Sequence, residues 1–172
     1  MEALEVAKYF LFLARSRDAG DTISNLKMQK MLYYAQGHCL ALFNKPLFEE
    51  RIEAWDYGPV VQSVYDRFKR YGSGSISFDE LENFKTDNIA ENKDIMDLLV
   101  FIFDKYGSMG AWKLSENTHK ESPWKDNYCK NLNREIPRSA IQSYFDSKYK
   151  KEAERLKNLK SNDGDIQKYG FI

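Results

Sequence analysis

At 172 residues the chain fits one domain. Lys plus Arg equals Asp plus Glu at 26 each, which argues against the basic balance of a nucleic-acid binder. Two cysteines, Cys39 and Cys129, are too few for a disulfide framework, and no window approaches the ~20 apolar residues of a membrane span.

Hydrophobic residues reach 42% and aromatics 15%, so the chain folds with aromatic side chains to spare. That surplus goes into the core or onto a sticky surface. The N-terminal run MEALEVAKYFLFLARSR puts acids before a short apolar stretch broken by Lys8. It has no basic leader region and no small-residue cleavage site, so a cytoplasmic location is expected.

The first predicted helix covers 3–17, with Ala3, Ala7, Phe10 and Ala14 on one face. Asp18 to Asp21 reads as its stop, with Gly20 suited to a left-handed cap. Ser24 or Asn25 can cap the next helix, which runs to about Phe43. Met28, Leu32, Ala35, Cys39 and Leu42 share its inner face. Tyr33 and Tyr34 are adjacent on it, so at most one is expected to point fully inward. Asn44-Lys45-Pro46 ends it.

Residues 47–55 mix extended and turn signals, which allows at most one short two-stranded element there. Tyr57-Gly58-Pro59 reads as a tight turn, with Pro59 suited to the first position of the following helix. Val61, Val64, Tyr65 and Phe68 mark that helix. Gly72 to Ser75 is a loop, and 76–93 reads as a polar surface excursion holding one helical turn at most.

Ile95, Leu98, Leu99, Ile102, Phe103 and Tyr106 fill both helical rows. This helix, ending with Lys105 and Gly107, is expected to be the most buried. A shorter helix at about 109–118 carries Trp112 and Leu114. The loop Thr118 to Trp124 follows, and Pro137 opens a last helix through Ile141, Tyr144, Phe145 and Tyr149. The chain turns polar near 158, giving a domain over 1–158 and a tail over 159–172.

Three clusters bear on chemistry. His119 and Glu121 pair a base with a carboxylate, but no nucleophile is placed beside them. The plainer reading is a hydrogen-bonded loop in which Pro123 and Trp124 plug the core. His38, Cys39, His119 and Cys129 lack the short pair spacing of a zinc site, and adjacent His38 and Cys39 diverge on a helix. No metal or other cofactor is expected. Lys148 to Lys160 holds six basic and two acidic residues, the pattern of a solvated helix face.

Three motifs occur in order: ISNLKMQKMLYYAQG, then IEAWDYGPVV, then LSENTHKESPW. Together they closely resemble the SocA-like Panacea antitoxin domain, a family that includes GepA-type phage-associated proteins. The resemblance covers roughly 3–145. Met28 and Met31 stand where the family more often has Leu, a change that keeps volume.

The resemblance implies a mostly helical antitoxin that neutralises a cognate protein toxin and has no enzymatic activity. In one branch the antitoxin also delivers its toxin to a AAA+ protease. No nucleic-acid partner is expected, since no separate helix-turn-helix unit is legible. The expectation is an all-α single domain of six or seven helices. The partner-binding residues expected from the motifs are Tyr33, Tyr34, Trp55, Tyr57, Gly58, Pro59, His119, Glu121 and Trp124. The alternatives are an enzyme working through His119 and Glu121, or a prophage nucleic-acid accessory protein.

Overall fold

The computed structural model describes residues 1–17, 22–147 and 150. Gly20, the basic run beyond Lys150 and the polar tail lie outside the described residues. Seven α-helices are bounded: α1 (Ala3–Ser16), α2 (Asn25–Phe43), α3 (Gln62–Phe68), α4 (Asp87–Ala90), α5 (Lys93–Tyr106), α6 (Ala111–His119) and α7 (Ser122–Lys125). A further helix, α8, occupies 138–147. Pro137 opens it by accepting from the Ala140 and Ile141 amides. The fold is one mainly α domain, as expected.

The small sheet is larger than the sequence suggested. It has three antiparallel strands in the order β2-β1-β3. Strand β1 (Glu53–Trp55) pairs with β2 (Gly58–Val60) on one side and β3 (Arg134–Glu135) on the other. The third strand comes from far along the chain, so no local pattern announces it. Pro59 pairs with Ala54 in β2 rather than starting a helix; α3 begins at Gln62.

The organising element is α2. Ser24 caps it by accepting from the Lys27 amide at 3.3 Å, and Asn44 ends it in the left-handed conformation at φ 54°. Of its residues only Leu26, Ala41 and Phe43 are not buried. This corrects the expectation for α5, whose outward face still meets solvent. It also corrects the tyrosine pair: Tyr33 is 0% exposed and Tyr34 1%. A helix enclosed on all sides has no outward stripe on which to place the second ring.

Enclosure brings polar side chains inward, and they bind backbone. Gln36 Oε1 accepts from the Leu47 amide at 2.7 Å and the Phe48 amide at 3.3 Å, while its Nε2 donates to the Phe48 carbonyl. Gln29 Oε1 accepts from the Val61 amide at 2.9 Å, and Asn25 Nδ2 donates to the Tyr65 carbonyl at 3.1 Å. The segment from Leu47 to the first turns of α3 thus takes from α2 hydrogen bonds that it does not make internally. A closely packed α8 completes the enclosure. A Cβ on Gly37 would lie 2.3 Å from the Phe145 ring, so the bare backbone there admits that ring.

The stretch 76–93 is not a surface excursion. Ile76, Leu81 and Ile89 are buried in the core. Glu80, also buried, pairs with Arg67 and Arg70 and accepts from the Tyr71 hydroxyl at 2.9 Å. Its charges read as solvated, but one of them, Glu80, is tied inward.

Candidate functional site

The β1–β2 hairpin turns through Asp56 and Tyr57, and Gly58 follows at φ +103°. That angle is strained for any residue with a Cβ, and a Cβ there would also meet Thr118 Oγ1 at 2.6 Å and Lys30 Nζ at 2.9 Å. Only glycine permits this close approach of backbone to α2 and α6.

Trp55, Asp56, Tyr57 and Pro59 are then each held by a side chain from another element. Trp124 Nε1 donates to the Trp55 carbonyl at 2.9 Å. The His119 ring donates to the Asp56 carbonyl, and Tyr128 donates its hydroxyl proton to Asp56 Oδ1 at 2.9 Å. Ser115 Oγ donates to the Tyr57 carbonyl at 2.9 Å, and Lys30 Nζ donates to the Pro59 carbonyl at 2.9 Å. Such over-determination holds a strained backbone in one conformation.

Aromatic rings surround this turn. His119, Trp124 and Tyr128 form a continuous stack, with centroid separations of 4.1 and 4.5 Å. Trp55, half-buried, leans on Tyr65 at 4.8 Å. Tyr57 points the other way and meets Trp112 edge-on, at 5.5 Å and 85°. Tyr57 is 59% exposed and Trp112 65%.

The nine residues expected to bind a partner therefore separate. Tyr57 is exposed, Trp55 and His119 are partly exposed, and Tyr33, Tyr34, Gly58, Pro59, Glu121 and Trp124 are buried. Glu121 faces inward, accepting from the Tyr33 hydroxyl at 2.9 Å and the Tyr34 hydroxyl at 3.3 Å. It braces α2 rather than its own loop, part of which forms the short helix α7. Trp112, Ser115, Lys30 and Tyr128 were not anticipated. Trp112 was legible, since it falls off the Leu114–Ser115–Thr118 stripe by which α6 packs.

His119 is kept below the usual imidazole range by burial first and by the Lys30 charge second, against the raising effect of its bond to Asp56. Its surroundings thus disfavour the charged form of the ring, which carries a structural bond to the turn. An open cleft of about 380 Å³ lies across Glu50, Arg51, Val61, Gln62, Ser63 and Asp66; neither His119 nor Glu121 lines it. Among the described residues no three His, Cys, Asp or Glu side chains gather as a metal site, and no helix is long and apolar enough to cross a membrane.

Lys30 is fully buried, and desolvation lowers its pKa from 10.5 to about 7. The unfolded chain binds this proton more tightly than the folded one, so stability rises with pH from about 7 toward 10.5. The lysine's penalty is complete below that window. Compared with Lys30→Met, the wild type is expected to gain stability from pH 7 to 9, with a limiting slope of ~1.4 kcal/mol per pH unit. Paired denaturant titrations measure this. A pH-independent difference between the two proteins would show that Lys30 stays charged in the fold.

The Panacea-domain model, described as "Antitoxin SocA-like, Panacea domain", matches residues 28–125, more than half of the chain. The chain belongs to the SocA-like Panacea antitoxin family. The match runs from α2 through the hairpin to α7, so it contains the turn and most of the side chains that pin it. Antitoxin SocA of Caulobacter vibrioides (strain NA1000 / CB15N) is 40% identical over 72 residues, which is 42% of this chain and 37% of that protein. The matched stretch thus spans well under half of that relative. No solved structure matches the chain. Gln29 and Lys30, near the start of the matched stretch, hold the hairpin segment by bonding Val61 and Pro59.

Proposed function

We propose that this Panacea-domain protein is an antitoxin that neutralises a cognate protein toxin by direct binding, without chemistry on it. The observation that carries the reading is the exposed Tyr57 on a turn held by side chains from other elements, within a domain of an antitoxin family. Exposed aromatics held rigid before binding lose little entropy on association and are the usual anchors of an interface. In this reading Tyr57 makes the central contact, with Trp55 and His119 at its margin. Tyr33, Tyr34, Gly58, Pro59, Glu121 and Trp124 support the turn from within.

The enzyme alternative has less to rest on. Glu121 is spent on two tyrosine hydroxyls and one ring nitrogen of His119 on a carbonyl, while His119 Nε2 is buried with no hydrogen-bond partner among the described residues. The nucleic-acid alternative lacks a basic balance. The protein acts in the cytoplasm, where its toxin is made. Delivery of the bound toxin to a AAA+ protease is the additional role taken from the family resemblance, and it needs a surface separate from the turn.

The test is titration of the toxin encoded beside this gene with purified antitoxin. Toxin activity is expected to fall linearly and vanish at a fixed molar ratio, with a complex isolable at that ratio. Progressive inactivation by a small fraction of an equivalent, or failure to form any complex, would overturn the reading.

A further inference from the structure

We infer that the open edge of the small sheet takes an extended segment of the bound toxin as an added strand, laid along β3. This rests on the antitoxin reading and adds the shape and charge of what the toxin presents. Hydrogen-bond alternation defines the edge. The Ile136 amide donates to the Ile52 carbonyl at 2.8 Å, Glu135 stands opposite Glu53, and Arg134 stands opposite Ala54. Antiparallel pairs alternate between bonded and non-bonded. Ile52 and Ile136 form a bonded pair, so Glu53 and Glu135 do not. The Glu135 amide and carbonyl therefore point away from β1. Neither has a hydrogen-bond partner among the described residues. Residues 130–135 are all exposed. The other edge of the sheet is closed: β2 is buried throughout, and its Pro59 carbonyl accepts from Lys30 Nζ at 2.9 Å. An exposed edge with outward backbone groups is a template for a further strand.

Charge selects the occupant. Arg134 and Glu135 are exposed, and neither makes an ion pair among the described residues. Glu135 faces a second carboxylate across the strands, that of Glu53. Arg51 Nε and Trp55 Nε1 both hold the Glu53 carboxylate at 2.9 Å, so it offers Glu135 nothing. Like charges directly opposite destabilise a strand pair, and opposite charges stabilise it. A segment that sets a basic residue against Glu135 and an acidic one against Arg134 meets both demands. A second copy of this chain does not. In an antiparallel pair an outward-pointing residue must meet another outward-pointing residue. Glu135 would then face either Glu135 or Asn133 of the other copy. The first register opposes two carboxylates. The second opposes Arg134 to Arg134 and uses Asn133, which has left the strand at φ 43°. The edge is also continuous with the proposed toxin surface. Strand β1 runs from its pairing with β3 directly into the turn that carries Tyr57, and Tyr128, on the approach to β3, holds Asp56 Oδ1 at 2.9 Å.

Two measurements test this. The first compares Glu135→Pro with Glu135→Ala. Proline removes the one outward amide, spares the bonds to β1 and is tolerated on a sheet edge, whereas alanine keeps the amide. Affinity for the toxin encoded beside the gene is expected to be roughly 10-fold weaker for Glu135→Pro than for Glu135→Ala. If the toxin binds both variants equally, the inference fails and the antitoxin reading stands. If the toxin does not bind wild type at all, both fail. The second measurement needs no variant to fold. Residue-resolved amide exchange is followed by NMR in free wild type and in its toxin complex. The Glu135 amide is expected to exchange freely in the free protein and at least about tenfold more slowly in the complex, while Arg134, turned toward Ala54, is slow in both. Unchanged Glu135 exchange in the complex would overturn the inference. So would a toxin-free wild type that dimerises while Glu135→Pro stays monomeric, because the edge would then belong to a second copy.

Discussion

Replacing Glu121 by Ala is expected to destabilise the fold by about 3–5 kcal/mol. Two hydroxyls depend on this carboxylate, those of Tyr33 and Tyr34, and both rings are buried in the centre of the protein. A buried donor left without an acceptor costs about 1–3 kcal/mol, and here there are two. The lost side chain also leaves a gap beneath α7 that the neighbouring rings cannot fill without leaving their contacts. Tyr34 stacks on Tyr106 at 4.1 Å, and Tyr33 meets Phe145 at 5.5 Å. For a protein of this size each kcal/mol moves the melting temperature by about 2–4 °C. A fall of roughly 6–20 °C is therefore expected. Glu121→Gln retains a carbonyl acceptor and is expected to lose less than half as much. Thermal unfolding followed by circular dichroism checks both variants. A Glu121→Ala protein that melts like wild type would mean the carboxylate is not a brace. It would also reopen a chemical role for Glu121, because a catalytic carboxylate can be removed without loss of fold.

Helix positions were legible in the sequence because period and caps are local signals. Ser24, Asn44 and the Ile95–Tyr106 rows lie where local chemistry puts them. Burial was harder to read. The polar residues of α2 look like an outer face, yet Lys27, Gln29, Lys30 and Gln36 are all buried. The backbone groups they bond lie 11 or more residues away along the chain, which no periodicity encodes. The same reason hid β3, whose partner strand lies some 80 residues earlier. In 76–93, a few apolar residues among many charges misled the reading. Ile76, Leu81 and Ile89 fill the core, and of the charges beside them Glu80 is buried while Glu82 and Glu91 face water.

The site was half legible. The Tyr57-Gly58-Pro59 turn stood out by composition, and the His119–Trp124 loop by its motif. That these two meet follows only from the fold, through the Trp124 to Trp55 and His119 to Asp56 bonds. Trp112 was visible as a residue but had no assigned neighbour until α6 was placed against the hairpin.

The burial of 76–93 also bears on where a partner can dock. A segment that supplies Ile76, Leu81 and Ile89 to the core cannot be exchanged freely to select one toxin or another. The pinned turn has the opposite character. Its support lies inside, and its outward residues, Asp56, Tyr57 and Trp112, contribute little to the core and are open to change.

The most direct test of this account is the affinity of Tyr57→Ala for the toxin encoded beside the gene. Tyr57 is 59% exposed, so truncation should leave the melting temperature within a few degrees of wild type. Its ring is the most exposed of the nine residues that the motifs single out, and its backbone is fixed before any partner arrives. Truncating an aromatic anchor of that kind typically costs ~2–4 kcal/mol of binding. The dissociation constant is accordingly expected to rise by roughly 30- to 1,000-fold, with loss of growth rescue in co-expression. A folded Tyr57→Ala protein that binds and neutralises the toxin as tightly as wild type would contradict the account.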